Sequence, residues 1–400
     1  MCRVLAYVGP EIPLESLLLT PDNSLVNQAL DPERHPELHL AGWGFGAWGD
    51  HLLKPDEPLI YRRPMAAFYD DNAASLIPSL LANTMLAHVR AAAYDSQVVL
   101  ADENCHPFFF EGAPWLVAQN GYLPGWQVLQ RELLEHCRDE YLTQMRGTTD
   151  TEFLAVLLLS LLEGESDEHV QRAVEQLVRL VADAMSTLQL PGLTKLKMAL
   201  VSPGRIIGIN WGLGHHGEVD PAGDWRELRT APAGTDDFDL GMLLEPMYVL
   251  LGRNFEQAEG SYGFEECTQD DATAAIFASE PLTEDGEDWL PLDYGSIMFL
   301  AKQEDGRITR SVRGLALPAG RRPAARRRPR QRGRGGPRAR AGPHAAAADS
   351  RRRRPGCGPR RAHRRLRAGG AAPAAHRRRA DASNAGRGSP AGCLPDRLRP

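Results

Sequence analysis

From about Leu317 onward the chain loses the patterning that a fold requires. Residues 321–400 hold 25 Arg and three Asp, set mostly among Ala, Pro and Gly, with almost no apolar periodicity. Such a segment cannot bury enough surface to offset the entropy of ordering it. A folded domain is therefore expected from residues 1–317, followed by a disordered Arg/Ala/Pro/Gly-rich tail over 318–400. The tail has three readings. Translation of a GC-rich gene in a shifted frame yields this mixture and is favoured; a solvated tail without a specific role comes next. A nucleic-acid-binding arm, suggested by Arg332-Gly333-Arg334-Gly335-Gly336, is the least favoured.

The remainder is acidic. Residues 1–320 hold 21 basic and 49 acidic side chains, so the net charge of −6 for the chain is a cancellation between two unlike segments. Solubility and a saline cytoplasm both account for the acidic excess. At 42% hydrophobic, 400 residues supply core for one large domain or two ordinary ones. Arg3 interrupts the first apolar run, and Pro10, Glu11 and Pro13 follow it, so no signal peptide is expected. The apolar stretch Phe153 to Leu162 is too short to span a bilayer, and a cytoplasmic protein without a membrane partner is expected. The six cysteines, Cys2, Cys105, Cys137, Cys267, Cys357 and Cys393, have neither disulfide-framework nor zinc-ligand spacing. No phosphate-cradling Gly-rich loop ending in Lys-Ser or Lys-Thr is present, so no cofactor, metal or nucleotide site is expected.

Strand-like segments come first. Arg3 to Gly9 reads as a buried strand, and Trp43-Gly44-Phe45-Gly46-Ala47-Trp48-Gly49 as a second that is expected to pair with it. Met85 to Arg90 and Pro114 to Gln119 follow. From Pro124 to about Met145 the pattern is helical, with Val128, Leu129, Leu133, Leu134 and Cys137 on one face. Two further helices are predicted: Thr151 to Leu162 behind the start signal Thr149-Asp150, and Glu168 to about Leu188 with the stripe Val170, Val174, Leu177, Val178 and Val181. Strands return at Leu196 to Val201, Ile206 to Ile209, Thr273 to Ala278 and Ser296 to Ala301, the last two spaced like a hairpin. Residues 212–241 are polar and Gly/Pro-rich, a surface insertion. Strands, then helices, then strands imply stacked layers and not a repeating βαβ winding.

Cys2 carries the chemistry. Removal of Met1 would leave one residue with both a thiol, titrating near ~8.5, and a free α-amine, near ~7.7 to 8.0. The neutral amine could then take the thiol proton, a nucleophile and base in one residue. Alone, a Met-Cys start is more often the mark of an inert cysteine. Its companions are Ala87-His88-Val89-Arg90-Ala91-Ala92, Asn104-Cys105-His106-Pro107-Phe108, Gln119-Asn120-Gly121 and Gly147-Thr148-Thr149-Asp150-Thr151-Glu152. In this order they resemble class II glutamine amidotransferases. The opening Met-Cys-Arg, Gly42-Trp43-Gly44-Phe45-Gly46 and Ala278-Ser279-Glu280-Pro281-Leu282-Thr283 resemble the compact stand-alone branch similar to the ergothioneine-pathway γ-glutamyl hydrolase. The likeness covers Met1 to about Leu317.

The resemblance implies an α+β fold, the αββα sandwich of N-terminal nucleophile hydrolases, with two stacked antiparallel sheets between helical layers. It implies cleavage of a γ-glutamyl amide, glutamine or a γ-glutamyl compound, through a thioester on Cys2. It assigns Asn120 and Gly121 to the oxyanion site, Arg90 to the substrate α-carboxylate and Asp150 to the α-ammonium group. A bidentate carboxylate contact suits a guanidinium, and a glycine lets a backbone amide approach the reacting carbon. His106 is expected to shape the pocket wall and His88 to be a core residue, with no metal at either. Without that family, Asn-Gly reads as a hairpin turn, Arg90 as a surface ion pair and Asp150 as a helix N-cap. Two departures stand out: Gln119 where many relatives carry histidine, and Ala93 where a threonine is common. A separate ammonia-accepting protein is one implied partner, plain hydrolysis the alternative. A non-catalytic binding or regulatory protein on the same fold, and a nucleic-acid-associated protein using the basic tail, are the rival readings.

Overall fold

The computed structural model describes residues 2–32, 38–92, 99–190, 193–214, 245–258, 261–265, 267–283 and 288–315. Met1, Ala93, most of the expected insertion with His215 and His216, and the tail lie outside the described residues. The chain separates into two units, Met1–Arg327 and Arg328–Pro400, and only the first contains described residues.

Among the described residues fourteen strands form two antiparallel sheets. They are β1 (Arg3–Pro13), β2 (Trp43–Trp48), β3 (Leu59–Arg63), β4 (Leu81–Val89), β5 (Phe108–Phe109), β6 (Leu116–Gln119), β7 (Leu193–Ser202), β8 (Arg205–Gly214), β9 (Met247–Ala258), β10 (Ser261–Glu265), β11 (Ala274–Ala278), β12 (Leu290–Leu292), β13 (Ser296–Lys302) and β14 (Ile308–Gly314). One sheet runs β10-β9-β11-β1-β4-β2-β3, with β12 also on β9; the other runs β14-β13-β8-β7-β6-β5.

The period of two along each strand divides the core into layers. Val4, Ala6 and Val8 of β1 face Leu116 and Ala118 of β6 and Ala199 and Val201 of β7 between the sheets. Leu5 and Tyr7 point the other way, into a cluster with the short helices α1 (Glu15–Leu18), α2 (Leu25–Gln28) and α3 (Asp71–Leu76). Val117, Met198, Leu200, Ile207 and Phe299 leave the second sheet on its far face, toward α4 (Trp126–Leu133), α5 (Asp139–Leu142), α6 (Asp150–Leu161) and α7 (Asp167–Leu188). The order is helix, sheet, sheet, helix, the expected αββα sandwich. The sheets touch closely: a Cβ at Gly208 would lie 2.6 Å from the Phe277 ring, so only glycine fits there.

α6 is the innermost helix. Every residue from Thr151 to Ser160 is buried, because α4, α5 and α7 cover the faces that the sheet does not. Each of its leucines withdrawn from water contributes on the order of 2 kcal/mol. Thr149 is its N-cap, accepting from the Glu152 N–H, so Asp150 is the first helical residue and not the cap. α7 matches the expected span, and its five stripe residues are all buried.

Four expectations are corrected. β1 and β2 do not pair, because β4 lies between them and bonds to both. β11 and β13 are not a hairpin; they belong to different sheets. The helix expected from Pro124 to Met145 is broken, since Cys137 and Arg138 are extended and the Arg138 N–H is drawn to Ser160 Oγ at 2.8 Å. Val128 and Leu134 of its supposed apolar face are exposed, while Leu129 and Leu133 are buried. Residues 212–214, assigned by sequence to the insertion, end strand β8.

Candidate active site

Cys2 stands immediately before β1, the middle strand of the seven-strand path. β1 pairs with β4 in the register Arg3↔Val89, and one more step sets Cys2 opposite Arg90. The half-buried thiol lies 3.6 Å from the Ala91 carbonyl, to which it donates. Burial raises the thiol pKa; nearby positive charge, including Arg90, and the Ala91 bond oppose it, and Asp150 raises it further. The thiol is therefore protonated at neutral pH unless a base takes the proton.

Arg90 is half-buried, its backbone tied to Gly42 at 2.8 Å and to Ala41 at 3.0 Å. Its Nη1 donates to the carbonyls of Val99, at 3.3 Å, and Ala41, at 3.4 Å. Among the described residues it forms no ion pair. Asp150 accepts from the Leu123 N–H at 2.9 Å and from the Thr151 N–H at 2.8 Å. Burial raises its pKa against these bonds and the attraction of Arg90. A cationic ligand at this carboxylate would offset that penalty.

The other sheet brings Asn120 and Gly121. They follow β6 without a hairpin turn, since the Asn120 N–H bonds Lys197 O at 2.8 Å and Tyr122 pairs with Lys195. A Cβ at Gly121 would sit 2.1 Å from Lys195 O, which explains the glycine. Among the described residues the Gly121 N–H has no acceptor. The Asn120 carboxamide donates to Ser279 Oγ at 3.1 Å, and its buried Oδ1 has no partner.

The histidines lie behind this loop. His88 and His106 lie against each other with ring centroids 3.9 Å apart and their planes tilted by 32°. His88 Nε2 lies 3.2 Å from Gln119 O, and His106 Nδ1 accepts from the Gln119 N–H at 3.4 Å. Burial holds the His88 pKa down at about 3 and that of His106 well below the usual range, so both rings are neutral. His106 is 4% exposed, and its described contacts support the backbone carrying Asn120. Gln119 itself donates to Lys195 O at 3.0 Å. Among the described residues no group of three or more His, Cys, Asp or Glu is placed to hold a metal.

Sequence reasoning named some supporting residues only as parts of motifs. Asn104 receives the Thr148 N–H on Oδ1 at 2.7 Å, and its Nδ2 bonds Val99 O at 3.1 Å and Thr148 Oγ1 at 3.2 Å. It thereby joins the segment under Arg90 to the loop before Asp150. Arg3, which donates to the Cys2 carbonyl at 3.2 Å, is buried 3.4 Å from Glu280. The signal for this pair was the Ser-Glu-Pro run after an apolar strand; its distant partner has no local signature.

The αββα sandwich with its first strand in the middle of a sheet is the architecture expected from the resemblance. Residues 28–207 match the family model of class-II glutamine amidotransferases. It is similar to a probable glutamine amidotransferase, DUG3, of Saccharomyces cerevisiae, at 32% identity over 169 residues, 41% of this chain and 46% of the yeast protein. It is also similar to the gamma-glutamyl-hercynylcysteine sulfoxide hydrolase of Mycobacterium tuberculosis, at 31% identity over 123 residues, 30% of this chain and 49% of that protein. The chain thus matches about half the length of these curated relatives. A solved class-II glutamine aminotransferase domain protein from Silicibacter pomeroyi covers 79% of this chain and 100% of its own, with 19% identity and a TM-score of 0.45. No helix among the described residues is long and apolar enough to cross a membrane.

Proposed function

We propose that this chain hydrolyses a γ-glutamyl amide with Cys2, exposed as the N-terminal residue after loss of Met1, as its nucleophile. The single observation that carries this reading is that Arg90 and Asp150, from separate elements, both act electrostatically on the Cys2 thiol, while Asn120, followed by a Gly121 amide without an acceptor among the described residues, reaches Ser279, which is clamped to Val4 two residues from Cys2.

In this reading the substrate α-carboxylate pairs with Arg90 and its α-ammonium group with Asp150, which presents the side-chain amide carbon to the thiol. The α-amine of Cys2 takes the thiol proton, and the thiolate adds to the carbonyl carbon. Negative charge develops on the carbonyl oxygen, where the Gly121 N–H and an Asn120 N–H receive it; one such donor typically lowers the barrier by about 3 kcal/mol. The protonated amine gives its proton to the departing ammonia or amine, leaving a γ-glutamyl thioester. Water, deprotonated by the same amine, attacks the thioester and releases glutamate. The base is the more necessary because burial disfavours the free thiolate. Direct release of ammonia suits a domain acting as a hydrolase; delivery to a separate acceptor protein is the amidotransferase variant of the same chemistry.

The test is intact and N-terminal peptide mass after brief exposure to 6-diazo-5-oxo-norleucine, beside Cys2→Ala. A mature N-terminus at Cys2 with one adduct there, abolished in Cys2→Ala, is expected. Retained Met1 without an adduct would overturn the mechanism in favour of a binding protein.

A further inference from the structure

Asn120 arrives from one sheet and Cys2 from the other, and a single hydroxyl joins them. Ser279 stands one residue beyond β11, where its N–H bonds Val4 O at 2.9 Å and its Oγ receives the Val4 N–H at 2.9 Å. Ser279 is thus clamped to β1 two residues from Cys2, and it is 5% exposed. The same Oγ receives Nδ2 of Asn120 at 3.1 Å.

The carboxamide has no other restraint among the described residues. Its Oδ1 is buried without a partner, so no second hydrogen bond opposes rotation of the amide group. An Asn side chain carries two N–H bonds on one nitrogen. With one directed at Ser279, the other has a fixed direction.

We propose that Ser279 is a positioning residue for the oxyanion site. By holding one N–H of Asn120 on a hydroxyl anchored to β1, it sets the distance and angle of the second N–H relative to the Cys2 thiol. It touches neither substrate nor the reacting atoms. The inference rests on the oxyanion role given to Asn120 above and goes beyond it, because it names what fixes the two halves of the site to each other across the sheets. Charge stabilisation depends steeply on donor placement, so a carboxamide free to turn loses part of its effect without affecting substrate capture.

The experiment compares Ser279→Ala, Ser279→Thr and Asn120→Ala in the full chain. It measures kcat and KM for glutamine hydrolysis and the rate of Cys2 alkylation by iodoacetamide, a displacement that needs no oxyanion donor. Ser279→Ala is expected to lower kcat roughly 10- to 100-fold, with KM and alkylation near wild type. Ser279→Thr, which keeps the hydroxyl, is expected to recover most of the rate, and Ser279→Ala is expected to add little to Asn120→Ala. Wild-type kcat in Ser279→Ala, or alkylation slowed as much as turnover, overturns the proposal. A slow Asn120→Ala beside a normal Ser279→Ala leaves the parent reading intact and removes this one. Full activity in Asn120→Ala removes the oxyanion assignment itself. Where Ser279→Ala does not fold, Ser279→Cys, a weaker hydrogen-bonding group of similar volume, takes its place.

Discussion

In the proposed mechanism Arg90 and Asp150 set the selectivity of the site at the residue scale, each addressing one end of an amino acid. A lysine at position 90 keeps the charge but not the planar fork that meets a carboxylate with two N–H bonds. Arg90→Lys is therefore expected to raise KM for glutamine roughly 30-fold, equivalent to about 2 kcal/mol, with little change in kcat. On 4-aminobutanamide, which lacks the α-carboxylate, the variant and wild type are expected to be equally slow. A comparable loss on that analogue would assign Arg90 to something other than the carboxylate. The proposed site residues were singled out in the sequence because a resemblance ordered them. The free Gly121 amide and the orphan oxygen of Asn120 were not, because hydrogen-bond satisfaction depends on neighbours such as Lys195 and Ser279, far away in the chain.

The two residues proposed as substrate anchors are held by different elements. Asp150 opens α6, behind a Thr149 cap and a Glu152 carboxylate that receives the Arg146 and Gly147 N–H groups at 2.9 and 2.8 Å. Asn104 then bonds that loop to the Val99 carbonyl shared with Arg90. Asn104→Ala is expected to raise KM about 10-fold by loosening the spacing between the anchors, with a smaller change in kcat. Steady-state kinetics on glutamine check this; an unchanged KM would make the latch a matter of stability alone. α6 and α7 were legible as helices because capping residues and the 3.6-residue period are local. The interruption at Cys137 and Arg138 was not, since Ser160, from a later helix, diverts the Arg138 amide.

At the scale of the whole molecule, the buried histidine pair makes stability depend on acid. In an unfolded chain His88 binds a proton near ~6.5, whereas in the folded protein burial holds it to about 3. Below pH ~6.5 the unfolded state therefore binds more protons, and stability is lost as pH falls through that window; at pH 5 the loss is about 2 kcal/mol. Urea midpoints at pH 7 and pH 5 measure it. His88→Gln, which does not titrate, is expected to lose less stability than wild type over that interval, by about that amount; an equal loss in both would show that His88 does not titrate this way. Buried Asp150 and Glu152 shift in the opposite sense, gaining stability as pH falls toward their unfolded values, and this contribution is common to both proteins. By itself the sequence determined the strand and helix segments, the layered class of fold, the acidic body with its unlike tail, and the candidate nucleophile, because each depends on residues within a few positions of one another. Tertiary structure alone decided that β4 lies between β1 and β2, that β11 and β13 belong to different sheets, and that Ser279 bridges Val4 and Asn120. Strand pairing and buried hydrogen bonds are chosen by competition among distant partners, and no local period records which partner wins.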